Sequence, residues 1–259
     1  MPKEQKSESG SAVPSEFGDV KDFDLVLLAN FVHQVVNPLN GVAGTLDNLA
    51  DGTIKQENRR SQRLRAARAQ VEQCISLMRN LAYLAQGFTK IPDKDQKEAV
   101  LPEIIIESAM FFQEDGKAKG IEISLSDPKT QNVITGHVEL IRQVIMNVLD
   151  NCVKYSEKNS TVLIEQWIQK NTSHAIIQVT NKSKFPISRE DIDKIFSLGY
   201  RGQNAKSIVA SGTGLGLYIC KRIVEDVHGG SIHVQTSGAQ DVVFTIKIPN
   251  GKAGRKLKE

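Results

Sequence analysis

Two apolar stripes separated by a sharp break limit what this chain can fold into. Leu25, Leu28, Val32, Val35, Leu39, Val42, Leu46 and Leu49 recur every three or four residues, the spacing of one face of a long α-helix. Asp51-Gly52 interrupts the pattern. It resumes at Leu64, Ala67, Val71, Cys74, Met78, Leu81 and Ala85 with the same steps. Residues 21–90 therefore read as an all-α helical hairpin, whose broad apolar face the two helices cannot cover by themselves. Pairing with a second copy to give a dimeric four-helix bundle is the expected solution, so the chain is read as a homodimer.

What flanks the hairpin is different in kind. Residues 1–20, rich in Ser, Gly, Lys and Glu, read as a disordered lead-in. Beyond the hairpin the periodicity lapses at Ile91-Pro92-Asp93-Lys94-Asp95, and a second domain is expected over residues 91–248. Its order is a helix at 102–119, strands at 121–125 and 133–134, a helix at 137–155 and strands at 161–168 and 175–180. A helix at 188–196, a Gly-rich stretch, a helix at 215–227 and strands at 231–235 and 242–248 complete it. This order predicts an α+β sandwich, one mixed sheet covered by helices on a single face. Residues 249–259 read as a basic tail, whose Lys252, Arg255, Lys256 and Lys258 against Glu259 account for the whole net charge of +3. The body is then nearly neutral, which argues against a nucleic-acid partner.

A hydrophobic fraction of 40% fits a soluble globular chain. No apolar run approaches the roughly 20 residues of a membrane span, and the first residues carry no secretory signal, so no membrane segment and a cytoplasmic location are expected. Cys74, Cys152 and Cys220 lie apart in apolar helical patterns and read as core thiols. His137, His174, His228 and His233 lack metal-ligand spacing and read as structural.

Chemistry concentrates in three segments. The first is Phe31-Val32-His33-Gln34-Val35-Val36-Asn37-Pro38-Leu39-Asn40, midway along the first helix. Pro38 has no N–H for the carbonyl of Gln34, a defect of ~3 kcal/mol that packing alone does not call for. Asn37 shares a helical face with His33, where its amide can orient a water or a phosphoryl oxygen. The second segment, Gln143 to Tyr155, puts Asn147, Asn151 and Lys154 on one helical face with Tyr155 at its edge. Such a face is often plain solvated surface, but amides and a lysine also suit a magnesium-bound triphosphate. The third, Ser211-Gly212-Thr213-Gly214-Leu215-Gly216-Leu217-Tyr218, enters a helix, and its glycines let backbone N–H groups approach phosphates. It is neither a Walker loop nor a dinucleotide fingerprint.

Taken together and in this order, the segments resemble the sensor histidine kinases of two-component systems. H-Q-V-V-N-P-L is similar to that family's acceptor box H-[E/D]-x-x-[N/T]-P-L, Asn147 and Asn151 to its N-x-x-x-N box, and G-T-G-L-G-L to its second glycine box. Ile195-Phe196-Ser197-Leu198-Gly199-Tyr200-Arg201-Gly202 resembles its phenylalanine box. The resemblance spans about residues 25–248. It implies the ATP-binding fold of the GHKL superfamily (the Bergerat fold), with ATP and Mg2+ as cofactors. His33 would take the phosphoryl group, Gln34 would hold the imidazole, and Asn37 would serve a phosphatase reaction. Asn151 would be the magnesium ligand, Asn147 and Lys154 would lie near the phosphates, Tyr155 would flank the nucleotide, Gly212, Thr213, Gly214, Leu215 and Gly216 would bind it, and Gly202 to Gly212 would form a short lid over the triphosphate. The implied partner is the receiver domain of a response regulator, for which the arginines Arg59, Arg60, Arg63, Arg65 and Arg68 offer either a docking surface or simply a solvated face.

Two departures from the pattern bear on activity. Gln34 replaces the usual acid and cannot take a proton, so slower autophosphorylation is expected. Where the family has D-x-G-x-G, this chain has Asn181-Lys182-Ser183-Lys184-Phe185. In the family the aspartate accepts a hydrogen bond from the adenine amine; the carbonyl of Asn181 offers a neutral acceptor instead, a loss on the order of 1 kcal/mol. Phe185 either fills part of the pocket or stacks on its rim.

Overall fold

The structure, a computed structural model, describes residues 25–86, 95–209, 212–237 and 240–257. The lead-in expected over residues 1–20 and the linker at residues 91–94 lie outside the described residues.

Helix α1 (Leu25–Ala50) runs through Pro38, and α2 (Glu57–Gln86) returns beside it after the turn at Asp51-Gly52. The pair is antiparallel: the Cys74 thiol lies 3.5 Å from the Val35 carbonyl, and the Gln70 amide packs over Gly41, where a Cβ would come within 2.9 Å of it. α2 begins earlier than its apolar stripe, because Glu57 complements the helix dipole and arginine is a good helix former. Phe31, Ala67, Cys74 and Asn80 are buried, while Val32, Val36, Leu39, Leu46, Leu64 and Met78 are exposed.

The rest of the chain follows as β1 (Lys97–Val100), α3 (Leu101–Met110), α4 (Gln113–Lys119), β2 (Glu122–Leu125), β3 (Val133–Gly136), α5 (Val138–Tyr155), β4 (Thr161–Gln169) and β5 (His174–Lys182). Then come α6 (Arg189–Lys194), α7 (Gln203–Ile208), α8 (Gly216–Arg222) with a π-helical turn at Ile223–Val227, β6 (Ser231–Ser237), β7 (Asp241–Ile248) and β8 (Gly251–Lys252). Five strands form a mixed sheet in the order β2-β4-β5-β7-β6, in which β2 and β4 are parallel and the other pairs antiparallel. Strict alternation along β7 buries Val242, Phe244, Ile246 and Ile248, and these meet Ile141, Ile145, Val148 and Leu149 of α5 and Ile219 of α8 in one apolar core. On the opposite face Trp167 of β4 is exposed.

The single sheet expected from sequence is in fact two. β1, β3 and β8 form a separate antiparallel ribbon, and the strand at Val133–Gly136 belongs to it. Part of the stretch read as a basic tail is therefore structural: Gly251–Lys252 pairs with β3, and Gly254 N–H donates to Asn132 Oδ1 at 3.0 Å. Asn132 in turn donates to the buried Gln166 at 2.7 Å. The helix expected over 102–119 breaks at Phe111-Phe112, where the turn lets Phe112 pack on the core. Gly120, at φ 70°, ends α4 in the left-handed conformation that favours glycine.

The start of α5 is held by a histidine. His228 Nδ1 lies 2.9 Å from the Ile223 carbonyl, so it carries the proton, and Nε2 accepts from the His137 backbone N–H at 3.1 Å. Burial holds the His228 imidazole below its usual pKa.

Candidate active site

α5 buries one side against the sheet and turns the other into a cleft of about 320 Å3. Asn147, Asn151, Lys154 and Tyr155 line it, as the helical spacing predicted. Asn151 Nδ2 donates to the Asn147 carbonyl at 2.8 Å, which ties up the nitrogen and leaves Oδ1 as the atom that suits a hard cation. Lys154 Nζ sits 2.5 Å from Asp150 Oδ2. Burial pulls the Lys154 pKa down, but the Asp150 carboxylate outweighs it, so the ammonium is held above the ordinary lysine value and stays charged.

Gly212, Thr213, Gly214 and Gly216 line the same end, and the buried Leu215 anchors them in the core. Gly214 has φ +67°, and a Cβ there would lie 2.5 Å from the Gly199 carbonyl carbon, so no other residue fits without displacing backbone. Above this loop, Arg201 donates Nη1 to the Gly212 carbonyl at 3.2 Å and Nη2 to the carbonyls of Ala205, at 3.1 Å, and Val209. One guanidinium thus holds both ends of the segment that carries α7. Tyr200 and Ser188 hydroxyls keep the nearby Asp191 carboxyl below its usual pKa.

The cleft also has apolar lining residues, Phe185, Pro186, Ile187, Ile195, Val242 and Phe244, and the buried Asn181. Asn181 Nδ2 donates to Ser156 Oγ at 2.9 Å, and its Oδ1 lies 3.4 Å from the Cys152 thiol. Phe185 is 44% exposed, so it stands on the rim rather than in the floor. Amide oxygen, ammonium, glycine backbone and an apolar lining in one cleft suit a magnesium-bound nucleoside triphosphate.

Helices α1 and α2 form the remaining wall. Gln34, Gln70, Gln73, Ser76, Leu77 and Asn80 line the cleft, whereas the exposed His33 and Asn37 do not. Gln143 Nε2 donates to Ser76 Oγ at 2.9 Å, to Asn80 Oδ1 at 3.1 Å and to Asn147 Oδ1 at 3.1 Å. Asn80 Nδ2 lies 3.4 Å from Asn147 Oδ1, and Asn147 Nδ2 donates to the Gly216 carbonyl at 3.2 Å. This amide cluster joins α2, α5 and α8, and sequence reasoning found only Asn147 in it. The i,i+4 relation of Gln143 to Asn147 was visible in the chain; their meeting with Ser76 and Asn80 depends on tertiary packing.

Comparison with known proteins agrees with this geometry. Residues 136–252 match the family described as histidine kinase-, DNA gyrase B-, and HSP90-like ATPase. Sensor protein KdpD of Clostridium acetobutylicum is 31% identical over 228 residues, 86% of this chain, and the chain spans 24% of that relative's length. The catalytic domain of histidine kinase ThkA is 29% identical with a TM-score of 0.51, over 60% of this chain and 97% of that one. The structure of ThkA in complex with the response regulator protein TrrA shares the fold over 87% of this chain and 61% of that one, at 21% identity and a TM-score of 0.55. Among the described residues no helix is long and apolar enough to cross a membrane. By its sequence relatives and by the ATPase domain in residues 136–252, the chain is similar to the sensor histidine kinases.

Proposed function

We propose that this chain is an ATP-dependent protein-histidine kinase that phosphorylates its own His33 and hands the phosphoryl group to an aspartate of a response-regulator receiver. The observation that carries the reading is the shared cleft: Gln34, the neighbour of His33, lines the same space as Asn147, Asn151, Lys154 and the loop from Gly212 to Gly216. In this arrangement Gln34 rather than His33 faces the cleft, so α1 must turn about its axis, or move against α5, before the imidazole meets a phosphate. Magnesium bound at Asn151 Oδ1 would offset the charge of the phosphates. Lys154, held charged by Asp150, adds a second positive group at that end. Arg201 and the glycine loop close over the nucleotide, and Asn181 meets the edge of the base.

The same reading assigns residues 21–90 to dimerisation and phosphoacceptance, and residues 91 onward to catalysis. The row Val32, Val36, Leu39, Leu46, Leu64 and Met78, exposed in a single chain, supports pairing through the hairpin as a homodimer. The exposed Arg59, Arg60 and Arg63 on α2 suit an acidic receiver. Asn37, on the His33 face, is assigned to orienting the water that removes phosphate from the receiver, and a cytoplasmic location goes with these roles.

A second reading keeps the fold but weakens the kinase, leaving mainly phosphotransfer and dephosphorylation. It is favoured by Gln34 in place of an acid, by the neutral Asn181 and by Phe185 on the rim. Incubation with γ-labelled ATP and magnesium decides between the two. Full activity gives an acid-labile, base-stable label that is lost in His33→Gln while nucleotide binding persists; label retained on that variant would sink the assignment of His33. Absence of label, together with removal of phosphate from a phosphorylated receiver, selects the second reading.

A further inference from the structure

We propose that the cleft reads a purine through a carboxamide that can face either way, so that it accepts guanosine triphosphate about as well as adenosine triphosphate. The inference rests on the nucleotide reading above and deepens it by naming the base. Asn151, Lys154 and Gly214, which suit phosphates, line the same cleft as the apolar Val242 and Phe244, and Val242 stands opposite Asn181 in the sheet, so a base belongs beside that apolar pair. Beside it lies Asn181, a buried polar side chain that lines the cleft, 4% exposed.

A carboxamide sets a donor and an acceptor side by side. The edge of adenine offers an amine and a ring-nitrogen acceptor; that of guanine offers a carbonyl acceptor and a ring N–H. Each is the complement of one orientation of the amide, and a half-turn of the amide exchanges them. What surrounds Asn181 does not lock the choice. Ser156 Oγ, 2.9 Å from Nδ2, is a hydroxyl that donates or accepts, and the Cys152 thiol, 3.4 Å from Oδ1, is a weak partner in either sense. Burial pushes the Cys152 pKa well up, so it remains a thiol and does not impose the acceptor role of a thiolate.

The test is a displacement titration on the whole chain with magnesium, using a fluorescent ATP analogue displaced by ATP and, separately, by GTP. The expected dissociation constants differ by no more than about tenfold, the size of one modest hydrogen-bond difference. Asn181→Leu, which removes donor and acceptor alike, should weaken both nucleotides by a similar factor of about tenfold. GTP that fails to displace the analogue where ATP succeeds overturns the inference, as does an affinity for either nucleotide that Asn181→Leu leaves unchanged. Should the variant not fold, the wild-type ratio decides alone. Binding of neither nucleotide overturns the nucleotide reading itself, and this inference with it.

Discussion

The helical pair and the sheet domain are both rich in apolar residues but end in opposite conditions. In the sheet domain Ile105, Ile141, Ile145, Leu149, Ile177 and Ile246 are fully enclosed. Along α1 and α2 about half of the stripe is open, with Leu46 at 52% and Met78 at 59% exposed. The sheet domain closes its own core because strands and helices cover each other's apolar faces. Two helices cannot do so, and their open side is available for other surfaces. Part of it is spent on the sheet domain: Phe31 joins the same apolar cluster as α5 and α8, and Asn80 joins the amide cluster of α5.

The largest effect that separates the two regions is a cavity. Leu149→Ala should destabilise the sheet domain by about 2–5 kcal/mol in urea unfolding, independent of protein concentration. Leu39→Asp with Leu46→Asp should leave that transition in place and instead convert dimer to monomer in sedimentation. A loss of sheet-domain stability in the second variant would mean that the stripe is core after all.

A smaller effect tests the join. Asn80→Ala removes the partner of Gln143 and Asn147, a loss of about 1 kcal/mol, so backbone amides of α2 near Ser76 should exchange with solvent roughly fivefold faster. Unaltered exchange would show that the contact between α2 and α5 is held by apolar packing alone.

The smallest effect is set by pH and acts on the sheet domain. His228 is held neutral, below the ordinary imidazole value of 6.5, so as pH falls through that value the unfolded chain takes up a proton that the folded chain resists. Stability should therefore be full above about pH 7 and decline below the ordinary value until His228 protonates in the fold as well. His228→Gln should flatten that part of the profile. A slope unchanged in the variant would assign the loss to other groups.

Much of the cleft lining was legible because its logic is local. A step of four residues sets Asn147 and Asn151 on one helical face, and the glycines of Gly212 to Gly216 announce a loop at a helix entry. The elements that escaped are defined by partners far away in the chain. β8 is two residues long and exists because β3 offers an edge, and β1 pairs with the other edge of β3. The break at Phe111-Phe112 carries no Gly or Pro, and comes from the gain of packing Phe112 on the core. Asn80 looked like one polar position among many on α2, and its significance appears only once α5 lies against it.

Arg201 has a consequence for the timing of events at the cleft. Three carbonyls, those of Ala205, Val209 and Gly212, are gathered by one guanidinium. Bonds that share a single donor group are not released one after another like rungs; when the side chain swings away, all three go together. Opening of the segment is therefore expected to be one step rather than three. On the proposed nucleotide reading, a change at Arg201 should alter the release of a bound nucleotide more than a change elsewhere along α7.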